Sequence, residues 1–189
     1  MDSLKAPAFE KVRADLARFS ERSVFTARPA TEGGEFEGEE AERIALIRRL
    51  GELAPAYVDV ELRTLEANRD LAPRDLGRGI IASWHDPLGT PGRVGLLRII
   101  RRAASYGGLS KVVTTANSAL DNLTILSLYD MPGPPPIAFC MGAKGVISRV
   151  MAVERRSPIV YACLPGEPTA PGQLSLDYLL AVRRRFGDA

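Results

Sequence analysis

Apolar positions along the chain fall into two alternating rhythms, one of three to four residues and one of two. Phe9, Val12, Leu16 and Phe19 share one stripe and predict a helix over residues 9–19. Leu46, Ile47, Leu50, Leu53 and Ala54 form a second stripe, with Arg43, Arg48 and Arg49 expected to face water. Strand-like runs occupy residues 23–28, 56–62, 79–84, 109–115, 137–140 and 158–163. Further helices are expected after Pro91, Ser118, Gly145 and Ser175, with Ser118 and Ser175 as N-caps and Gly107-Gly108 closing the helix before the fourth run. Residues 131–136, with four prolines, read as a loop within one domain.

Six strands alternating with helices imply a parallel sheet, because each crossover helix returns the chain in the same direction. Neither GxGxxG nor a P-loop follows any strand, which removes the usual reason to expect an open nucleotide-binding sheet. Arg28, Glu61, His85 and Thr115 instead place polar groups at or near the ends of four different strands. Such a spread suits an α/β barrel, whose active site gathers residues from many strand ends.

Composition narrows the function classes. The 189 residues carry a formal net charge of +2, so no global field favours nucleic acid or a membrane surface. Arg183-Arg184-Arg185 end a helical pattern, where cations complement the helix dipole. No apolar run approaches a membrane span, and no signal-peptide core is seen, so a cytoplasmic protein is expected. Cys140 and Cys163 lack metal-ligand spacing and read as reduced core thiols; with a single histidine, a metal site is not expected.

Lys111 lies within Leu-Ser-Lys-Val-Val-Thr-Thr, on one strand face with Leu109, Val113 and Thr115. A lysine buried there is costly and tends to lose its proton, as a Schiff-base nucleophile must; the plainer alternative is a lysine reaching the sheet edge. His85 ends an apolar strand and can act as general acid or base, or simply cap the strand by hydrogen bonding. Arg28 ends the first strand and Glu32 follows in a glycine-flanked turn. Arg149 sits just inside a helix, where it could hold a carboxylate or lie on the surface. Residues 166–173 are a lid or a connection.

Taken in order, these pieces resemble a known family. Arg28-(x)3-Glu32-Gly-Gly, Val58-Asp-Val-Glu-Leu62, Ser83-Trp-His-Asp86 with Thr90-Pro91, Lys111, Met141-Gly-(x)2-Gly-Val-Ile-Ser-Arg149 and Ala170-Pro-Gly-Gln173 resemble type I 3-dehydroquinate dehydratase. The resemblance implies a (β/α)8 TIM barrel of the aldolase type, dimeric and free of metal and cofactor. It implies that Lys111 forms an imine with 3-dehydroquinate and that His85 moves protons. It further matches Arg149 to the substrate carboxylate, Arg28, Gln173 and Thr169 to substrate-binding positions, and Glu32 to the acidic partner of the histidine. Asp59, Met141 and Tyr161 fall at site-lining positions. Trp84 and Thr169 depart from the residues usual in the family.

Members of that family begin with a strand, a helix and a second strand that Met1-Asp2-Ser3-Leu4 matches only at its tail. The expectation is therefore one N-terminally truncated barrel domain over 1–189, with about six of eight strands, poorly soluble or associating and weakly active. The alternatives are a catalytically inactive fragment or regulatory binding module, and an aldolase-type enzyme. His85 and the Ala-Pro-Gly-Gln segment argue against the last.

Overall fold

The computed structural model describes residues 6–71 and 76–186. Met1 to Leu4, where the sequence matches a motif tail, lie outside the described residues. Seven α-helices alternate with strands among those described: α1 (Ala6–Phe19), β1 (Val24–Thr26), α2 (Glu40–Gly51), β2 (Tyr57–Glu61), α3 (Leu62–Ala67), β3 (Ile80–Asp86), α4 (Arg93–Ala104), β4 (Leu109–Thr115), α5 (Leu120–Leu126), β5 (Ile137–Met141), α6 (Val146–Glu154), β6 (Ala162–Cys163), β7 (Leu174–Ser175) and α7 (Leu176–Phe186).

Local chemistry explains most of the boundaries. A capping box of Glu39 and Glu42 opens α2, and Arg48 and Arg49 close it where the dipole favours cations. Ser175 caps α7, its Oγ accepting from Tyr178 N at 3.3 Å. At α5 the expected Ser118 cap is replaced by Asp121, whose Oδ2 accepts from Asn117 N and Ser118 N at 2.7 and 2.8 Å. Gly107, at φ +76°, ends α4 as its position suggested.

β1 to β5 form one sheet in sequence order, and the registers are parallel. The sixth strand-like run differs from expectation. Only Ala162 and Cys163 are strand, and they pair in parallel with β7 as a separate two-stranded sheet. Pro158 lacks an N–H for a ladder, and Ser157 Oγ donates to Ile159 O nearby, so residues 158–161 stay irregular.

The chain divides into two compact units, Met1–Trp84 with Arg102–Ser110, and His85–Arg101 with Lys111–Ala189. In the first, Phe25, Ile47, Leu50, Val58, Val60 and Leu65 are buried. Strand alternation then puts Asp59 and Glu61 on the opposite face from Val58 and Val60, and register sets Ser83 beside Glu61. In the second, Leu96, Val112, Ile125, Leu128, Ala138 and Cys140 are buried. There Lys111, Val113 and Thr115 share a face with their register partners Ile137, Phe139 and Met141.

Candidate active site

In the first unit the polar face of β2 becomes a buried charge cluster. Arg28, two residues past β1, donates from Nη2 to Asp59 Oδ1 at 2.8 Å, and from Nη1 to Glu61 Oε1 at 3.0 Å and Ser83 Oγ at 3.2 Å. Arg43 reaches the same cluster from α2, where its Nη1 donates to Glu61 Oε2 and to Ala27 O. Its expected place facing water is thus wrong: it is 1% exposed. Glu32, in a 3-10 turn at Ala30–Glu32, is buried and pairs with Arg63 Nε at 3.1 Å.

Burial opposes the charge of Arg28, but Asp59 and then Glu61 outweigh it and hold its pKa above the ordinary value. Burial pushes the Glu61 carboxyl up, and Arg28 and Arg43 push back. Both Glu61 oxygens accept from guanidinium N–H, a geometry that suits the carboxylate.

The second unit holds the candidate nucleophile. Lys111 is buried on β4, with its Nζ 4.5 Å from the centroid of the Tyr161 ring. The plainer reading of a lysine at the sheet edge does not hold. Tyr161 in turn meets Phe139 of β5, ring centroids 6.0 Å apart. His85 is buried near the C-terminal end of β3, and Met141, half-buried, ends β5.

Arg149 is 4% exposed and stacks its guanidinium 4.4 Å from the centroid of Phe139, so the surface reading fails as well. Its Nη2 donates weakly to Pro171 O at 3.4 Å, while its Nε is buried with no hydrogen-bond partner among the described residues. Burial lowers its pKa to about 10, and among the described residues only Cys140 and Cys163, not a carboxylate, push the other way. A guanidinium buried in this way has the chemistry to take up an anion. It is positioned by the start of α6, where Gly145 comes so close to Cys140 that an added Cβ would lie 2.6 Å from the Cys140 carbonyl oxygen.

Within residues 166–173, Pro168 to Gln173 line an open surface depression of about 430 Å³. Gln173 organises the segment: its Oε1 accepts from Thr169 N and Oγ1, and its Nε2 donates to Ala162 O at 3.1 Å. Gly142 N donates to Pro171 O, which ties the segment to the β5–α6 turn. Gly172 is at φ +74°, and a Cβ there would lie 2.5 Å from Gly142 O.

The family description Type I 3-dehydroquinase matches residues 1–187. The chain belongs to the type I 3-dehydroquinase family. It is 41% identical to a 3-dehydroquinate dehydratase of Pyrobaculum aerophilum over 87% of this chain and 54% of that protein. It is likewise 41% identical to the 3-dehydroquinate dehydratase of Thermococcus gammatolerans, over 88% of this chain and 78% of that one. The chain therefore spans just over half of the length of the Pyrobaculum relative. Its fold superposes on the crystal structure of 3-dehydroquinate dehydratase from Geobacillus kaustophilus with a TM-score of 0.85 at 27% identity, covering 98% of this chain and 79% of that one.

The expected α/β barrel class thus holds for this 3-dehydroquinase chain, with five strands in the parallel sheet among the described residues. Sequence reading did not find Arg43 or Phe139. A signal for Arg43 existed, since it lies three, four and seven residues before Leu46, Ile47 and Leu50, on their buried stripe. Phe139 was marked by strand alternation, which puts it level with Val113 and between Lys111 and Thr115 on one face.

Proposed function

We propose that this chain dehydrates 3-dehydroquinate to 3-dehydroshikimate, a step of the shikimate pathway, through a Schiff base on Lys111. Membership of the family supports the reaction. The observation that carries the assignment is the pair of buried cations on one aromatic shelf, Lys111 over Tyr161 and Arg149 over Phe139. A carboxylate on Arg149 would answer its missing counter-charge and orient the substrate. The Lys111 amine then attacks the C3 ketone, and water leaves as the imine forms.

The protonated imine is an electron sink, so the C2 proton becomes acidic and His85 removes it. The resulting enamine pushes out the C1 hydroxyl, which takes a proton from His85 and departs as water. Hydrolysis of the conjugated imine takes up one water, equal to the one released when the imine formed, and frees Lys111. The net change is the loss of one water, and the scheme uses neither metal nor cofactor. We assign Arg28, Gln173 and Thr169 to substrate binding, Glu32 to the support of His85, and Asp59, Met141 and Tyr161 to the lining. As the resemblance implies, we take the enzyme to be a cytoplasmic homodimer, with no nucleic-acid or membrane partner.

Borohydride reduction in the presence of 3-dehydroquinate tests the scheme. Mass spectrometry should find the adduct on the peptide containing Lys111, and Lys111→Ala should abolish both adduct and turnover. Lys144 is the informative control, since its exposed Nζ donates to Asn117 O at 2.8 Å. Labelling there in place of Lys111 would sink the assignment.

A further inference from the structure

We propose that Arg43 is a positioning residue: from α2 it holds Glu61, and through Glu61 it fixes the guanidinium of Arg28 in the orientation that binds substrate. The inference rests on the reading above, in which Arg28 contacts 3-dehydroquinate. Arg43 makes five hydrogen bonds, one for each of its N–H groups. Nε and Nη2 donate to the two oxygens of Glu40 at 2.7 Å, and Nη2 also donates to Thr64 Oγ1. Nη1 divides its two protons between Glu61 Oε2 and Ala27 O.

Those last two bonds bear on Arg28 from both ends. Ala27 is the residue before Arg28, so the bond to its carbonyl, 2.9 Å, sets the backbone from which the Arg28 side chain departs. Glu61 is the far support. Its Oε1 receives Arg28 Nη1 while Arg43 fixes Oε2, so the carboxylate bridges two guanidiniums and cannot turn without breaking one contact. Charge adds to geometry. Arg28 pairs with Asp59 and Glu61 while Arg43 pairs with Glu61, and all four side chains are buried. Without Arg43, Glu61 Oε2 would lose its buried guanidinium donor, and the carboxylate that supports Arg28 Nη1 would be free to turn.

Lysine cannot replace this arrangement, because three donors on one ammonium do not reproduce a planar five-donor fork. The test uses the whole chain, with Arg43→Lys, Arg43→Met, Arg28→Lys and the double variant Arg43→Lys/Arg28→Lys. The first readout needs no substrate: the guanidinium Nε–H signal of Arg28 in a ¹H–¹⁵N spectrum, assigned by its loss in Arg28→Lys. It should move or broaden in Arg43→Lys while the backbone spectrum stays that of a folded protein. The second readout is steady-state kinetics on 3-dehydroquinate, where KM should rise about tenfold or more, as loss of a charged hydrogen bond would give, with kcat little changed.

In the Arg28→Lys background, Arg43→Lys should add little further to KM, since its effect passes through Arg28. An Arg28 signal unmoved in folded Arg43→Lys, or KM effects that simply add, overturns the proposal. If Arg43→Met fails to fold, Arg43→Lys alone carries the comparison. If the parent chain does not act on 3-dehydroquinate, the proposed function fails, and an unmoved or moved Arg28 signal still decides whether Arg43 holds it.

Discussion

At the scale of single residues, two buried arginines have opposite surroundings. Arg43 has every N–H engaged by protein oxygens, whereas Arg149 has a buried Nε without a partner among the described residues. A guanidinium desolvated without a carboxylate costs the fold free energy that a bound anion would return. Arg149→Met removes that cost, keeps much of the volume against Phe139 and forfeits the stacking contact. We expect the variant to be no less stable than the parent in urea unfolding, with a gain of about 1 kcal/mol. We expect 3-dehydroquinate to stabilise the parent and not the variant. A variant that unfolds well below the parent yet still responds to the substrate would show that Arg149 serves the fold rather than the ligand.

At the scale of elements, legibility in the sequence followed how much of the specification was local. The fourth strand was expected over 109–115 and is observed as Leu109–Thr115, because a glycine pair precedes a run of β-branched residues. The sixth run looked similar in apolar content, yet Pro158 and a local serine bond removed most of its ladder. Arg43 was misread because its charge was weighed above its position on the buried stripe, and Glu61, Thr64 and Ala27 O, remote in sequence, join Glu40 in making that position tolerable. The start of α5 was misread for a similar reason: Asp121, already inside the helix, accepts from two backbone N–H groups before it. These bonds, that from Ser118 first, hold the Asp121 carboxyl below its ordinary value. The folded state therefore binds its proton less tightly than the unfolded chain, so the contribution is complete above the ordinary carboxylate pKa and is lost as pH falls through the lowered one. Asp121→Asn should lessen the loss of stability on acidification below about pH 4, read from urea midpoints across that range. An unchanged acid profile would remove Asp121 as the determinant. The consequence reaches the site, because Asn122 beside it donates to Lys144 O at 2.7 Å and accepts from Ser148 N, next to Arg149.

At the scale of the whole molecule, charge is abundant but matched. With 25 lysines and arginines against 23 acidic residues, the surplus is small. Much of it is also neutralised locally: Arg48 pairs with Asp70, Arg49 with Glu10, Arg78 with Glu21, Arg102 with Glu66, and Arg155 with Asp130. Exposed pairs of this kind contribute little stability, and they also leave little field to extend into solvent. An anionic substrate would then be recognised at close range by Arg149, whose charge is buried and so only weakly screened, rather than drawn in from a distance. The Debye length shrinks from ~30 Å at about 0.01 M salt to ~3 Å at about 1 M, which removes long-range steering and leaves buried contacts largely intact. We therefore expect kcat/KM for 3-dehydroquinate to fall by less than about threefold across that range, with most of the change in the rate of encounter. Stopped-flow or steady-state measurements at several salt concentrations, with the same variation applied to Arg149→Lys, would check it. A fall of a hundredfold in the parent would mean that exposed cations guide the substrate and that recognition is not confined to the buried guanidinium.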